Sequence, residues 1–436
     1  MTNAPTGSNN LGISGKTTNR EQNQALAGVF VPNSDRFRKY VLTRRAGAIL
    51  FDPNKAAAEQ HRTCWCHRGV ANAADNVTIY RTTTGDSARM HGVTTCKSVW
   101  TCPTCSARIC AVRQAELAEG MKNWIGQGGY TWLMTLTFPH DRGEALAELL
   151  PAFAKATTHF KNSKTYKRIL AKGVRKGSVS SLEVTLGERS GWHPHRHDLV
   201  FSAPDTFGEV TEGESGRLSS RLIDELKHQW YMSLRKAGLC EQDEMSDVLA
   251  HGLDVRGGQY AAEYIAKFGK EQKWGLSREV TMHAAKVGTD QKGAHPFQLL
   301  AWAEEGDGLA VEQFREYADA FEGKRMLTWS RGLKKELTGL DETTDEEAAD
   351  QVLPEETVAG RIDAEALSIL QSRRLLANFL AYVAAYCTDP DSAQAVIDAY
   401  INDFARALPK TARGTVKRKL WQRGFMHVDA EEMETA

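Results

Sequence analysis

From Trp192 to Phe201 the chain reads Trp-His-Pro-His-Arg-His-Asp-Leu-Val-Phe, a run with three histidines at alternate positions. The apolar end, Leu199 to Phe201, suggests extended backbone, and on a strand His193, His195 and His197 project from one face. The preceding run Ser181 to Leu186 also reads as a strand, and Gly187 to Gly191 supplies turn chemistry for a hairpin. Pairing the two runs symmetrically about Ser190 sets Glu183 opposite His197. A carboxylate beside two or three imidazoles suits a divalent ion that keeps open positions for a substrate. Alternating histidines alone more often mark an ordinary surface strand, so the reading depends on what else the chain carries.

Six of the eight cysteines fall between Cys64 and Cys110, clustered for ligation and not spread as in a disulfide framework. Cys102-Pro103-Thr104-Cys105 is a CxxC knuckle. Cys96 lies just ahead of it, and Cys64-Trp65-Cys66-His67 some thirty residues earlier. Four such thiolates make a tetrahedral structural zinc site. The expected ligands are Cys102, Cys105 and Cys96, with Cys64 or Cys66 completing the set and His61, His67 and His91 as substitutes.

A third feature is the helical pattern Gln259 to Gly269. At 100° per residue Tyr260, Tyr264 and Lys267 share one side, while Ala261, Ile265 and Phe268 form an apolar stripe able to pack on a sheet. A fourth is basic. Lys155, Lys161, Lys164, Lys167, Arg168, Lys172, Arg175 and Lys176 occur with no acidic residue between Pro151 and Gly177. Eight contacts to single-stranded phosphates would give a log–log salt slope of roughly −5 or −6.

Elements to position these groups follow in order. Helices are expected at Ala107 to Gly126, Glu144 to about Tyr166 and Leu218 to Lys236, and a buried strand runs from Tyr130 until Pro139 closes it. Phe297 to Ala303, Glu312 to Phe321, Asp363 to Ala385 and Ala393 to Leu408 also read as helices. Trp329 to Lys335 is a short aromatic and basic patch able to clamp nucleic acid. The 436 residues carry 55 basic and 55 acidic side chains, so net charge offers no hint of nucleic acid, and the acidic run Asp341 to Glu356 offsets the basic one. The longest apolar stretch, Leu375 to Cys387, is too short to span a bilayer, and the polar first residues read as a disordered arm. A cytoplasmic protein with no membrane association is expected.

Thr135-Leu136-Thr137, then His193-Pro194-His195-Arg196-His197, then Tyr264-Ile265-Ala266-Lys267 resemble, in that order, the three motifs of plasmid rolling-circle replication initiators (Rep) of the His-hydrophobic-His (HUH) endonuclease superfamily. The segment Cys96 to Cys105 is similar to the cysteine cluster many of them carry, and the likeness spans roughly Cys64 to Lys270. The resemblance implies strand-specific nicking and joining at a plasmid origin, single-stranded or in a hairpin, through a 5′-phosphotyrosine intermediate that leaves a 3′-OH primer. It assigns Tyr264 as nucleophile, His195, His197 and Glu183 as ligands of Mg²⁺ or Mn²⁺, and Lys267 as a stabiliser of the phenolate or phosphate. Arg196 stands where the superfamily usually has an apolar residue, which leaves His193 and His195 open as the ligand pair. Tyr260 stands where some initiators carry a glutamate, so Tyr260 could be a second nucleophile, with Glu263 or water as the alternative.

The expected fold is α+β, an antiparallel sheet with helices packed on one face in the palm-like manner of the family. The expected division is an arm (1–25), an N-terminal region with the zinc module (26–112), the catalytic domain (113–275) and a helical extension with the basic and aromatic patch (276–340). An acidic linker (341–358) and a helical C-terminal region (359–436) follow. The basic run from Lys161 to Lys176 is the expected DNA footprint. No P-loop occurs in the sequence, which implies a host helicase and replication proteins as partners. A transposase or relaxase of the same chemistry, or a zinc-containing DNA-binding regulator without cleavage, are the competing functions.

Overall fold

The computed structural model describes residues 35–408 apart from 72–75, 86, 142, 172, 188–189, 214–215, 259, 263–292 and 353–354. The first half of the chain supplies α1 (Asp35–Ile49), β1 (Val77–Thr82), β2 (Ala88–His91), α2 (Pro103–Gly126), β3 (Tyr130–Leu136), α3 (Leu146–Asn162), α4 (Lys164–Ile169), β4 (Arg175–Gly187) and β5 (Gly191–Ser202). After the small ribbon β6 (Thr211–Glu212) and β7 (Leu218–Ser219) come α5 (Arg221–Ala237), β8 (Leu253–Arg256), α6 (Pro296–Glu304), α7 (Gly308–Ala320), β9 (Leu327–Trp329) and α8 (Leu333–Thr338). The last part contains α9 (Asp345–Asp350), β10 (Glu356–Ile362), α10 (Ala364–Ser372), α11 (Leu376–Tyr386) and α12 (Pro390–Ala399).

The central sheet has the order β8-β3-β5-β4-β9, antiparallel throughout. One face sends Trp132, Met134, Val184, Leu186, Trp192 and Val200 into a core shared with Phe153 and Phe160 of α3 and with Ile223, Leu226 and Trp230 of α5. Phe297 of α6 and Phe314 of α7 extend that core. The opposite face carries Leu133, Val179, Leu199, Phe201 and Trp329, closed by Ile109, Val112 and Leu117 of α2 and Leu333 and Leu337 of α8. Helices therefore cover both faces, not one as expected. The cause is legible in β5, where Leu199, Val200 and Phe201 are consecutive apolar residues and must be buried on both sides.

Only one end of that second face is apolar. Along β5 it changes from buried Phe201 and Leu199 to the partly buried His197, His195 and His193.

A second sheet, β10-β1-β2, joins the two ends of the described chain: β10 pairs antiparallel with β1 from Val77↔Ile362 to Thr82↔Glu356. Its core unites Val77, Ile79 and Met90 with Leu367, Leu370, Phe379, Leu380 and Ile397 of the C-terminal helices. The stretch 341–358 is thus not a bare linker. It contains α9, capped by Thr344, and the start of β10, where Glu356 accepts from both Arg89 and Arg108. Asp345 is held by Arg113 at 3.0 Å. The patch 329–335 also lies inward: Trp329 stacks on Phe201 at 6.3 Å between ring centroids, and Lys334, 1% exposed, is paired with Glu116.

Candidate metal centre

Glu183, His195 and His197 converge on the polar end of the sheet face. The β4–β5 hairpin positions them, with register Glu183↔His195 and Ser181↔His197, closing at Gly187↔Gly191. The expected pairing of Glu183 with His197 is two residues out, because Gly187 pairs with Gly191 and the register is set from that pair and not about Ser190. A shift of two preserves the face, so the carboxylate still meets both rings: Glu183 Oε2 lies 3.2 Å from His195 Nε2 and 3.5 Å from His197 Nε2. Burial pushes the Glu183 carboxyl up, but the charge and hydrogen bonds of His197 and His195 outweigh it and hold the group well below its ordinary range.

The remaining ring nitrogens are engaged behind the trio. His197 Nδ1 is 2.9 Å from Thr135 Oγ1, and His195 Nδ1 is 3.2 Å from the His193 carbonyl. Both Nε2 atoms therefore face the carboxylate. Donor atoms about 2.1 Å from one ion in neighbouring coordination positions would be separated by roughly 3.0–3.4 Å, close to what Glu183 and its two histidines present. His193 is placed elsewhere. Its Nε2 meets Thr137 Oγ1 at 3.2 Å, its Nδ1 meets His140 Nδ1 at 3.3 Å, and burial takes its pKa down to about 3, with His195 and His140 adding to the shift.

Four sulfurs form the other cluster: Cys66, Cys96, Cys102 and Cys105. Cys66 Sγ lies 3.6 Å from both Cys102 and Cys105, and Cys96 Sγ lies 3.7 Å from Cys105. These are free thiols, and the spacing matches the edge of about 3.8 Å that a tetrahedron with metal–sulfur bonds of ~2.3 Å requires. The four residues could hold zinc. Cys64, expected as an alternative ligand, is excluded from the cluster: its thiol points to the Gly47 carbonyl at 3.2 Å, and burial pushes its pKa up to about 11. Within the cluster, burial pushes Cys102 up, yet hydrogen bonds from Cys105, Cys66 and Cys96 hold it well below the ordinary thiol value. His61 instead caps the turn at Thr63, His67 is buried 5.3 Å from the Tyr40 ring, and His91 is exposed on β2.

The tyrosine helix begins beside the sheet. Its described part is 258 and 260–262, and Ala261 is fully buried in the same core as Leu133, Leu199 and Phe201, as its apolar stripe predicts. The Tyr260 ring lies against Gly216, whose φ of +73° and lack of a side chain make room for it, and beneath the Arg256 guanidinium at 5.2 Å. Glu263, Tyr264 and Lys267 lie outside the described residues, as does Lys172.

The expected DNA footprint is divided. Lys161 is withdrawn into an ion pair with the fully buried Asp198 at 2.7 Å, and Arg175 binds the Tyr166 hydroxyl at 3.1 Å. Arg168 pairs with Glu225 and Lys176 with Glu336 across the surface, while Lys164 and Lys167 are exposed on α4. Three residues near the trio were given no role in the site from sequence, Thr135 and Thr137 being quoted only as part of a motif. Thr135 and Thr137 had a legible signal, polar side chains alternating with buried Met134 and Leu136. His295 had none, since only folding returns it to the site. There Ala294 bridges to Leu186 through two 2.8 Å hydrogen bonds, and the partly buried His295 ring, whose pKa desolvation lowers to about 4, lies within the field of Glu183.

An antiparallel sheet presenting two imidazoles and a carboxylate from one hairpin, with a four-cysteine knuckle ahead of it, defines an α+β protein with two groups of residues that could hold a metal. Residues 87–213 match the Rep_1 family, described as replication protein. Relatives include "Protein rep" of Streptomyces lividans, 27% identical over 62% of this chain and 68% of the relative. Another is a protein of Streptomyces cyanogenus named "Neomycin resistance protein", 31% identical over 32% of this chain and 36% of the relative. No solved structure matches. Among the described residues no helix is long and apolar enough to cross a membrane.

Proposed function

We propose that this protein initiates plasmid rolling-circle replication by nicking and rejoining one strand of the origin through Tyr264. The convergence of Glu183, His195 and His197 on a sheet face where the tyrosine helix also docks, through Ala261, carries this reading. Bound there, Mg²⁺ or Mn²⁺ would polarise a non-bridging oxygen of the scissile phosphate and help orient it. The Tyr264 phenolate attacks phosphorus and the bond to the 3′-oxygen breaks, so the 5′-phosphate stays on tyrosine and the departing oxygen takes up a proton to become the 3′-OH primer. A phenol with a pKa of about 10 needs help to ionise at neutral pH, and Lys267, three residues further along the chain, stabilises the developing charge. Lys164, Lys167 and Arg168 on α4 contribute phosphate contacts, and a host helicase opens the duplex ahead of the primer.

The test is nicking of a supercoiled plasmid bearing its own origin, with and without Mn²⁺. The parent opens one strand only with metal, Glu183→Gln lowers the rate at least 100-fold, and Tyr264→Phe abolishes it. Metal-independent nicking, or full activity of Tyr264→Phe, overturns the reading. For the terminating cleavage the candidates are Tyr260, Glu263 and water. Tyr260→Phe that nicks but fails to close circles assigns the second attack to Tyr260, whereas closure at the parental rate leaves Tyr260 a packing role against Gly216 and Arg256.

A further inference from the structure

Thr135 and His197 are direct cross-strand neighbours, and Thr135 Oγ1 lies 2.9 Å from His197 Nδ1. On the other side of the ring, His197 Nε2 lies 3.5 Å from Glu183 Oε2. We infer that Thr135 is a positioning residue that accepts a hydrogen bond from Nδ1–H of His197 and so keeps Nε2 as the metal-binding nitrogen. The inference rests on reading Glu183, His195 and His197 as the metal-binding trio.

The argument comes from comparing the two histidines. His195 has its Nδ1 against a backbone carbonyl, that of His193, at 3.2 Å. A carbonyl can only accept, so that ring is locked whatever side chains surround it. His197 has a side-chain hydroxyl, that of Thr135, in the corresponding place. A partly buried strand position such as Thr135, between the buried Met134 and Leu136, would take valine equally well by shape and by β-propensity. The hydroxyl alone distinguishes the two, and its recorded partner is the ring. Without it Nδ1–H loses its acceptor, and the imidazole can exchange tautomer or turn over, presenting N–H instead of a lone pair. The Thr137 hydroxyl makes a similar contact, 3.2 Å to His193 Nε2, but on a ring outside the trio.

The test uses the full chain and Mn²⁺ alone, with affinity measured by calorimetry or by the free-ion EPR signal. The ring tautomer is read by long-range ¹H–¹⁵N NMR of the metal-free protein. Thr135→Val weakens Mn²⁺ binding by about 10–100-fold and populates the other His197 tautomer, while Thr135→Ser stays within about threefold of the parent. Thr137→Val leaves the affinity as it is. If Thr135→Val binds as tightly as the parent while Glu183→Gln does not, the role of Thr135 is overturned and the trio stands. Equal loss in Thr135→Ser and Thr135→Val overturns it too, since packing then accounts for the effect. If Glu183→Gln and the parent bind alike, the metal reading itself fails and this inference with it.

Discussion

Asp198 lies fully buried on the reverse face of the histidine strand and carries ion pairs to Lys161 at 2.7 Å and to Arg196 at 2.9 Å, with Ser180 donating to it as well. Burial alone would push its carboxyl up, but Lys161 and Arg196 overcome this and hold it below the ordinary range. Removing one member of a buried pair strands the others, so Asp198→Asn should lower stability by about 3–5 kcal/mol in chemical denaturation at pH 7. The sign of the pH dependence follows from the downward shift. The contribution is complete above the unfolded carboxylate value of about 3.9 and is lost as pH falls through the lower folded value. The gap between parent and Asp198→Asn should therefore be constant from pH 8 to 5 and narrow below pH 4. A gap that widens on acidification would contradict the assignment. The same cluster explains why arginine is tolerated between His195 and His197: Arg196 points away from the trio and finds Asp198. That the three histidines share one face was legible from period-two alternation. Lys161 was not, because a lysine in a run without acids reveals nothing about a carboxylate that arrives from another strand.

Among the elements, α2 joins two functions at its first turn. Cys102 is its N-cap, its sulfur accepting from Cys105 N at 3.4 Å, Pro103 follows as a favoured first helical residue, and both cysteines belong to the four-sulfur cluster. Loss of the cluster therefore unfastens the helix that closes the sheet at Leu199 and Phe201. With zinc as the ion these four sulfurs would hold, Cys66→Ser should abolish zinc binding, measured with a chromogenic chelator, and reduce helical circular dichroism. Cys64→Ser should keep one equivalent, and a zinc loss equal to that of Cys66→Ser would contradict the ligand set. The knuckle could be read from its spacing. The choice of Cys66 over Cys64 could not, since it depends on which sulfur the turn at 62–65 directs toward Gly47. The hairpin shows a similar division: alternation identifies the face, whereas register depends on turn geometry, which missed by two residues and kept the carboxylate on the correct side.

At the scale of the molecule, the two ends of the described chain interlock. Glu356, 6% exposed at its side chain, is gripped by Arg89 and Arg108, which are 267 and 248 residues away in sequence. Glu356→Ala leaves two largely buried guanidinium groups without that carboxylate and should cost about 3 kcal/mol, seen as a lower thermal midpoint. An unchanged midpoint would show that β10 contributes nothing to the N-terminal sheet. These separations explain why 341–358 reads as a linker: its acids look solvated until the distant arginines are brought to them. The helices of the C-terminal region were legible from their apolar periodicity, but their packing on β1 and β2 was not. The central claim concerns the whole assembly, since it joins the trio to a tyrosine on another element. Its most direct measurement is to incubate the protein with single-stranded origin DNA, with and without Mn²⁺, and map any covalent adduct by peptide mass spectrometry. The account predicts a metal-dependent phosphodiester adduct on Tyr264, absent from Glu183→Gln. Tight, origin-specific binding by metal-loaded protein with no adduct would contradict it and make this a DNA-binding protein whose histidines serve structure alone.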